Sequence, residues 1–280
     1  MKVTRHALYM MLIFQLVGVS VAGQSNDKPA EIPSYQPKFY PFDGGEKAVY
    51  RATWNGITVA TTEVFTTPVW MEGKKFYQVK VDAKTSKALD LIWKMRDTIS
   101  STFEAKTLSP SRFVFNQREN SRVVDTEAQY NGGTKKWAVN RQQKGKKPRI
   151  YEFDSENTLD PITAVYVARS VDFKVGDRLY FNVFGGRYQY LLELAVAGRE
   201  TIQLESGKVD AFKIVPRVTN LSKSGYAGRL NEAAIWITAD ARRMPVMLTS
   251  KIFVGTVYME KVDEKPAITP AAVEPRVPAS

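Results

Sequence analysis

Residues 49–67 read VYRATWNGITVATTEVFTT, and this stretch decides the fold. Val49, Arg51 and Thr53 alternate with Tyr50, Ala52 and Trp54, the period of two that a half-buried strand requires. Asn55-Gly56 follows, and both residues tolerate the positive φ of a two-residue hairpin turn. Ile57–Thr67 then returns, rich in β-branched side chains that favour extended backbone. The stretch is a β-hairpin, and the rest of the chain repeats its logic.

Phe76, Gln78, Lys80 and Asp82 alternate with Tyr77, Val79, Val81 and Ala83. Asp97–Phe103, Arg112–Asn116 and Val123–Tyr130 continue the pattern. Asn131-Gly132-Gly133 turns the chain into Lys135–Asn140. Gly185-Gly186 separates Tyr180–Phe184 from Tyr188–Val196, and Ser206-Gly207 separates Thr201–Glu205 from Lys208–Arg217. Ala233–Thr238, Met244–Ile252 and Thr256–Val262 are the last strands. Two segments read as helices. Ser86–Trp93 puts Leu89, Ile92 and Trp93 on one side. Asp160-Pro161 opens the other, with Asp as cap and Pro at the first position of Ile162–Val171. The fold class is mainly β: a large curved antiparallel sheet, either an incomplete β-barrel or a two-sheet sandwich, with one or two short helices.

Both ends differ from this core. Lys2 and Arg5 precede an apolar run, Ala7–Val21, and small residues at Ser20, Ala22 and Gly23, so residues 1–22 are expected to be a cleaved signal peptide. The apolar run is shorter than the roughly 20 residues that span a bilayer. Residues 23–41 carry Pro29, Pro33, Pro37 and Pro41 and read as an extended leader. Residues 42–263 read as a single antiparallel β domain, and 264–280 as a Pro-rich disordered tail. The expected location is the periplasm of a Gram-negative bacterium, with the extracellular space second. After signal cleavage no transmembrane span is expected.

The 280 residues contain no Cys and one His, His6, inside the expected signal. Ser-His and Cys-His nucleophiles, thiolate or imidazole zinc sites and disulfides are therefore excluded from the mature chain. G-x-G-x-x-G, G-x-x-x-x-G-K-[ST] and G-x-S-x-G are all absent. S-x-x-K occurs at Ser25–Lys28, in the leader, where nothing would hold a nucleophile in place. Glu152, Asp154 and Glu156 alternate and, with Asn157 and Asp160, supply hard oxygen ligands, but the glycine of a calcium loop is missing. A solvated strand end is the plainer reading. No catalytic residue, metal or cofactor is expected, and the protein reads as non-enzymatic.

The formal charge is +11 and the isoelectric point about 9.6. In an exported protein such a balance favours anionic lipid or acidic glycan over nucleic acid. The densest run of cations is Lys135–Arg149: Lys135, Lys136, Arg141, Lys144, Lys146, Lys147 and Arg149, with Trp137 among them. It reads as a basic hairpin for an anionic headgroup, or as lysines that protect an exposed edge from aggregation. Trp54, Trp70, Trp93, Trp137 and Trp236 are either core or stacking surfaces, and Tyr188 follows the Gly185-Gly186 turn. The candidate ligand-binding set is Lys135, Lys136, Trp137, Arg141, Lys144, Lys146, Tyr188 and Trp236.

Three segments in order resemble the bacterial exported family known as domain of unknown function 3108. They are Phe42–Glu46 running into Tyr50–Ile57, Leu159–Arg169 followed by Val175-Gly176-Asp177, and Ala234–Val246 with Gly255 beyond. The resemblance covers 42–263 and implies no activity. The pattern W-I-x-x-D-x-R-x-x-P-V at Trp236–Val246 is also similar to strands of LolA/LolB-type periplasmic lipoprotein carriers. That likeness implies a curved incomplete barrel holding acyl chains on its concave face. The expected function is therefore binding of an amphipathic envelope molecule, a lipid or lipid-linked glycan. The alternatives are a polysaccharide-binding module and a structural or assembly partner of an envelope protein.

Overall fold

The structure, a computed structural model, describes residues 31–155, 157–221, 231–252 and 255–262. The expected signal peptide (1–22), the leader up to residue 30 with the Ser25–Lys28 motif, and the tail (264–280) lie outside the described residues. The elements run β1 (Glu46–Trp54), β2 (Ile57–Met71), β3 (Lys74–Thr85), α1 (Lys87–Asp90), β4 (Arg96–Glu104), β5 (Pro110–Glu119), β6 (Arg122–Asn131) and β7 (Lys136–Gln143). They continue with β8 (Arg149–Asp154), β9 (Thr158–Leu159), α2 (Pro161–Arg169), β10 (Arg178–Phe184), β11 (Gln189–Leu204), β12 (Gly207–Asn220), β13 (Asn231–Thr238), β14 (Pro245–Ile252) and β15 (Gly255–Val262).

All fifteen strands form one sheet, in the order β8-β7-β6-β5-β4-β3-β2-β1-β15-β14-β13-β12-β11-β10-β9. The first and last strands pair antiparallel at its centre, Ala52 opposite Met259. The two edges, β8 and β9, are consecutive in the chain. Laid flat, fifteen strands would separate those edges by roughly 65 Å, at about 4.8 Å per strand. The link from Asp154 to Thr158 reaches about 14 Å at most. The sheet must therefore curl until its edges almost meet. Trp137 on β7 donates its indole N–H to the Thr158 carbonyl at 3.2 Å across the seam. The result is an incomplete barrel and not a two-sheet sandwich.

Period-two alternation sets the inner face. On β3 the side chains of Tyr77, Val79, Val81 and Ala83 are buried, while Lys80 and Lys84 are exposed. The lumen is filled by α2. Asp160 caps it, accepting from the backbone N–H of Ile162 at 2.9 Å and of Thr163 at 3.0 Å, and Pro161 takes the first position. Ile162, Ala164, Tyr166, Val167 and Ala168 are all buried, as a helix enclosed on every side demands. The main core surrounds it, from Phe103 and Phe113 on one wall to Leu192 and Ile214 on the other.

Three details depart from expectation. Helix α1 is a single turn, capped by the Ser86 hydroxyl; Leu89 and Trp93 are buried, but Ile92 is exposed. The two strands expected at 188–196 and 201–205 are one, β11, because a register shift at Val196/Gly198 bends the strand without breaking it. Beyond that bend the β11–β12 hairpin buries Ile202 and Leu204 with Trp236 and Val246 in a small separate core. Residues 31–41 form no regular element, yet Lys38 N–H bonds the Ser170 carbonyl at 2.8 Å and Tyr180 N–H bonds the Tyr35 hydroxyl at 2.9 Å.

Candidate functional site

Helix and sheet do not fill the lumen completely. A cavity of about 140 Å³ lies between α2 and the inner wall. Val165 and Ala168 contribute from the helix, and Val64, Val81, Leu192 and Ile235 from four strands. Its walls are almost wholly apolar. An engineered cavity of about 150 Å³ with similar walls stays dry and takes up benzene. A second hollow, of about 350 Å³, lies where Tyr35 and Gln36 cross Pro110, Tyr130 and Leu159, and its lining is mixed.

One wall of the apolar cavity carries a buried ion pair. Arg169 on α2 is 2% exposed. Its Nη1 and Nη2 donate to Glu46 Oε1 at 2.5 Å and Oε2 at 2.9 Å. Nε donates to the Arg243 carbonyl at 3.0 Å and Nη2 to the Arg242 carbonyl at 3.1 Å. Burial opposes the guanidinium charge, but Glu46 outweighs it and holds the pKa above the ordinary value. The Tyr166 hydroxyl donates to Glu46 Oε1 at 3.2 Å and also bonds Thr66. This cluster ties the helix to the mouth of β1 and to the β13–β14 turn.

A second polar group faces the interior on β4–β7. Going toward the β4 start, the inner face of β4 reads Phe103, Ser101, Ile99, Asp97. On β5 it reads Phe113, Phe115, Gln117, Glu119, and on β7 Trp137, Val139, Arg141; all are buried. Three strands of this wall thus change from apolar to polar toward one end. Burial pushes the Asp97 carboxyl up to about 7, against a 2.7 Å hydrogen bond from Arg118 N–H, and neighbouring Glu119 adds to the rise. Glu119 is paired with Arg122 at 3.3 Å.

The basic run does not converge as one grip. Lys135 and Lys136 lie at one end of β7, and Lys144 and Lys146 in the turn beyond its other end. Eight residues of strand separate them by about 25 Å. Of the run's cations, Arg141 alone is buried. Trp137 has 0% exposure, with its N–H on Thr158, so it offers no face to a ligand. Trp236 is turned to the outer side, opposite to inward Ile235 and Ile237, and its N–H donates to Glu200 at 2.7 Å. Tyr188 is half-buried in the β10–β11 turn, with the Arg187 guanidinium 4.6 Å from its ring centroid. Of the carboxylate series, Glu152 and Asp154 are exposed, Glu156 is outside the described residues, and Asp160 is consumed by the α2 cap. Sequence reasoning missed Glu46, Arg169 and Tyr151; the signal available was the inner-face register, not the density of charge.

A protein-family model described as "Protein of unknown function (DUF3108)" matches residues 49–262. Among solved structures, the chain is similar to a beta-barrel-like protein of domain of unknown function DUF1849 from Brucella abortus. The two are 9% identical with a TM-score of 0.48, over 78% of this chain and 95% of that one. No curated protein matches. The likeness to LolA/LolB-type carriers gains no support from these comparisons.

Proposed function

The chain belongs to the family described as Protein of unknown function (DUF3108), and for this member we propose binding of an amphipathic molecule whose apolar part lies between α2 and the inner face of the curved sheet. The observation that carries this reading is the cavity itself. It is apolar, it sits on the concave face, and its walls match the apolar part of an amphipathic ligand. The role proposed is carriage or sensing: of the polar side chains that line the cavity, Glu46, Tyr166 and Arg169 are engaged with one another, and the buried Thr62 hydroxyl is left without a partner among the described residues. The proposed setting is the cell envelope, for which the support is the signal-like start of the chain and its basic balance.

A glycan-binding role would need an exposed aromatic platform. Of the five Trp, Trp70 is the one that stands out into solvent, 72% exposed at a hairpin tip, and a single ring is a weak platform. The cavity reading is tested with N-phenyl-1-naphthylamine, an uncharged dye that brightens in apolar surroundings. Wild-type protein should bind it saturably, and Val165→Phe, which fills the cavity from α2, should bind it at least tenfold more weakly while remaining folded. Saturable binding that is equal in both proteins would remove the cavity from the account.

A further inference from the structure

Arg141 is a buried cation without a counter-ion. It lies on the inner face of β7, 7% exposed, and among the described residues its guanidinium has no hydrogen-bond or ion-pair partner. Among the described residues the other buried arginine, Arg169, is paired with Glu46, so the contrast is internal to one molecule. The Tyr151 side chain, beside Arg141 on β8, carries a buried hydroxyl that also lacks a hydrogen-bond partner. The register sets Arg141 between Thr126 on β6 and Arg149 on β8.

The β10–β11 turn closes this corner. A Cβ added at Gly186 would stand 3.6 Å from both Phe113 Cε1 and Thr126 Cγ2, which seats the turn on the inner face beside Arg141. Arg187 is therefore brought to the same place, stacked on Tyr188. The inward acid on β5, Glu119, is already held by Arg122. Burial first, and then the like charges of Arg187, Arg122 and Arg149, lower the hold of Arg141 on its proton. Arg141 keeps a small exposed area, 7%, through which an anion could meet a guanidinium that has no carboxylate partner among the described residues.

We infer that Arg141, Tyr151 and Arg187 form a binding site for an oxyanion, phosphate or carboxylate, beside the apolar cavity. A planar guanidinium fork and a phenol hydroxyl are the donors such an anion takes up. The same turn borders both places: Val183, Gly185 and Tyr190 line the cavity, and Arg187 follows directly. Taken with the binding reading above, on which this part rests, the ligand is an anionic amphiphile, its chain under α2 and its head at Arg141.

The test uses the chain as the cell produces it, with three probes: decyl phosphate, decanol and inorganic phosphate. Calorimetry should show decyl phosphate binding about tenfold or more tightly than decanol. Arg141→Gln and, at an exposed position where folding is not at stake, Arg187→Gln should each reduce that preference severalfold and leave decanol unchanged. Inorganic phosphate alone should shift the Arg141 side-chain N–H resonance. Shifts without alkyl binding would uphold the anion site and end the cavity reading. Equal affinity for decyl phosphate and decanol, with no phosphate shift, would overturn the anion site and leave the cavity standing. A preference that survives the double variant would overturn it as well.

Discussion

Arg169 and Glu46, 123 residues apart in sequence, are joined by two hydrogen bonds of 2.5 Å and 2.9 Å inside the barrel. The pair fastens the plugging helix to the first strand, and the Arg242 and Arg243 carbonyls complete the shell of the guanidinium. Removing one partner leaves a buried charge uncompensated. Arg169→Met or Glu46→Gln should each lower unfolding free energy by about 3–5 kcal/mol. The double variant should recover a large part of that loss, as chemical denaturation would show.

Arg141 should behave in the opposite way. It has no partner to lose, so Arg141→Met in the unliganded protein should raise stability by about 1–3 kcal/mol. A loss of stability on that substitution would mean that the guanidinium is satisfied in solution.

Asp160 anchors the other end of α2. Besides two backbone N–H groups, its Oδ2 accepts from Ser101 Oγ at 2.8 Å and from Thr163 Oγ1 at 2.6 Å. Asp160→Ala strands all four donors in the core and should cost about 2–4 kcal/mol. Asp160→Asn keeps an acceptor at the cap and should cost much less. Equal losses in the two variants would show that the side-chain carbonyl is not what holds the helix.

Asp97 gives a pH signature. Its folded pKa of about 7 lies above the ordinary 3.8, so the folded state binds this proton more tightly than the unfolded chain does. Its stabilising contribution is complete below about pH 4 and is lost as the pH rises through about 7. The stability of wild type relative to Asp97→Asn should therefore fall across that window, by on the order of 4 kcal/mol in all. A flat difference from pH 4 to 8 would contradict the assignment.

The exposed lysines serve as the control for the interior site. Lys135, Lys136, Lys144 and Lys146 lie at the two ends of β7, outside the inner face. Changing all four to Gln should alter decyl phosphate affinity by less than about threefold, since such charges act only through a screened field. A larger loss would return the headgroup to the surface.

Alternation carried most of the fold. The pattern at Val49–Trp54 and Phe76–Ala83 needs only the period of two, and Asp160-Pro161 names its helix start through capping chemistry alone. What alternation does not encode is which strands become neighbours. The pairing of β1 with β15, and hence the curling of the sheet, depends on contacts more than 200 residues apart. The site was less legible for a related reason. Lys135–Arg149 attracts notice by its density of charge, yet charge density marks what water can reach. The residue that matters, Arg141, is distinguished by its place in the series Trp137, Val139, Arg141, where an apolar face ends in a cation. Glu46 and Arg169 are single residues in unremarkable contexts, and only the folded chain shows that they meet.

The most direct test of the central claim is a mass spectrum of what travels with the protein. The full chain would be expressed with its own N-terminal segment, purified gently and extracted with organic solvent. The account predicts an anionic amphiphile near one per protein, depleted in the Val165→Phe and Arg141→Gln variants. An empty extract from well-folded protein, together with no uptake of decyl phosphate, would contradict it.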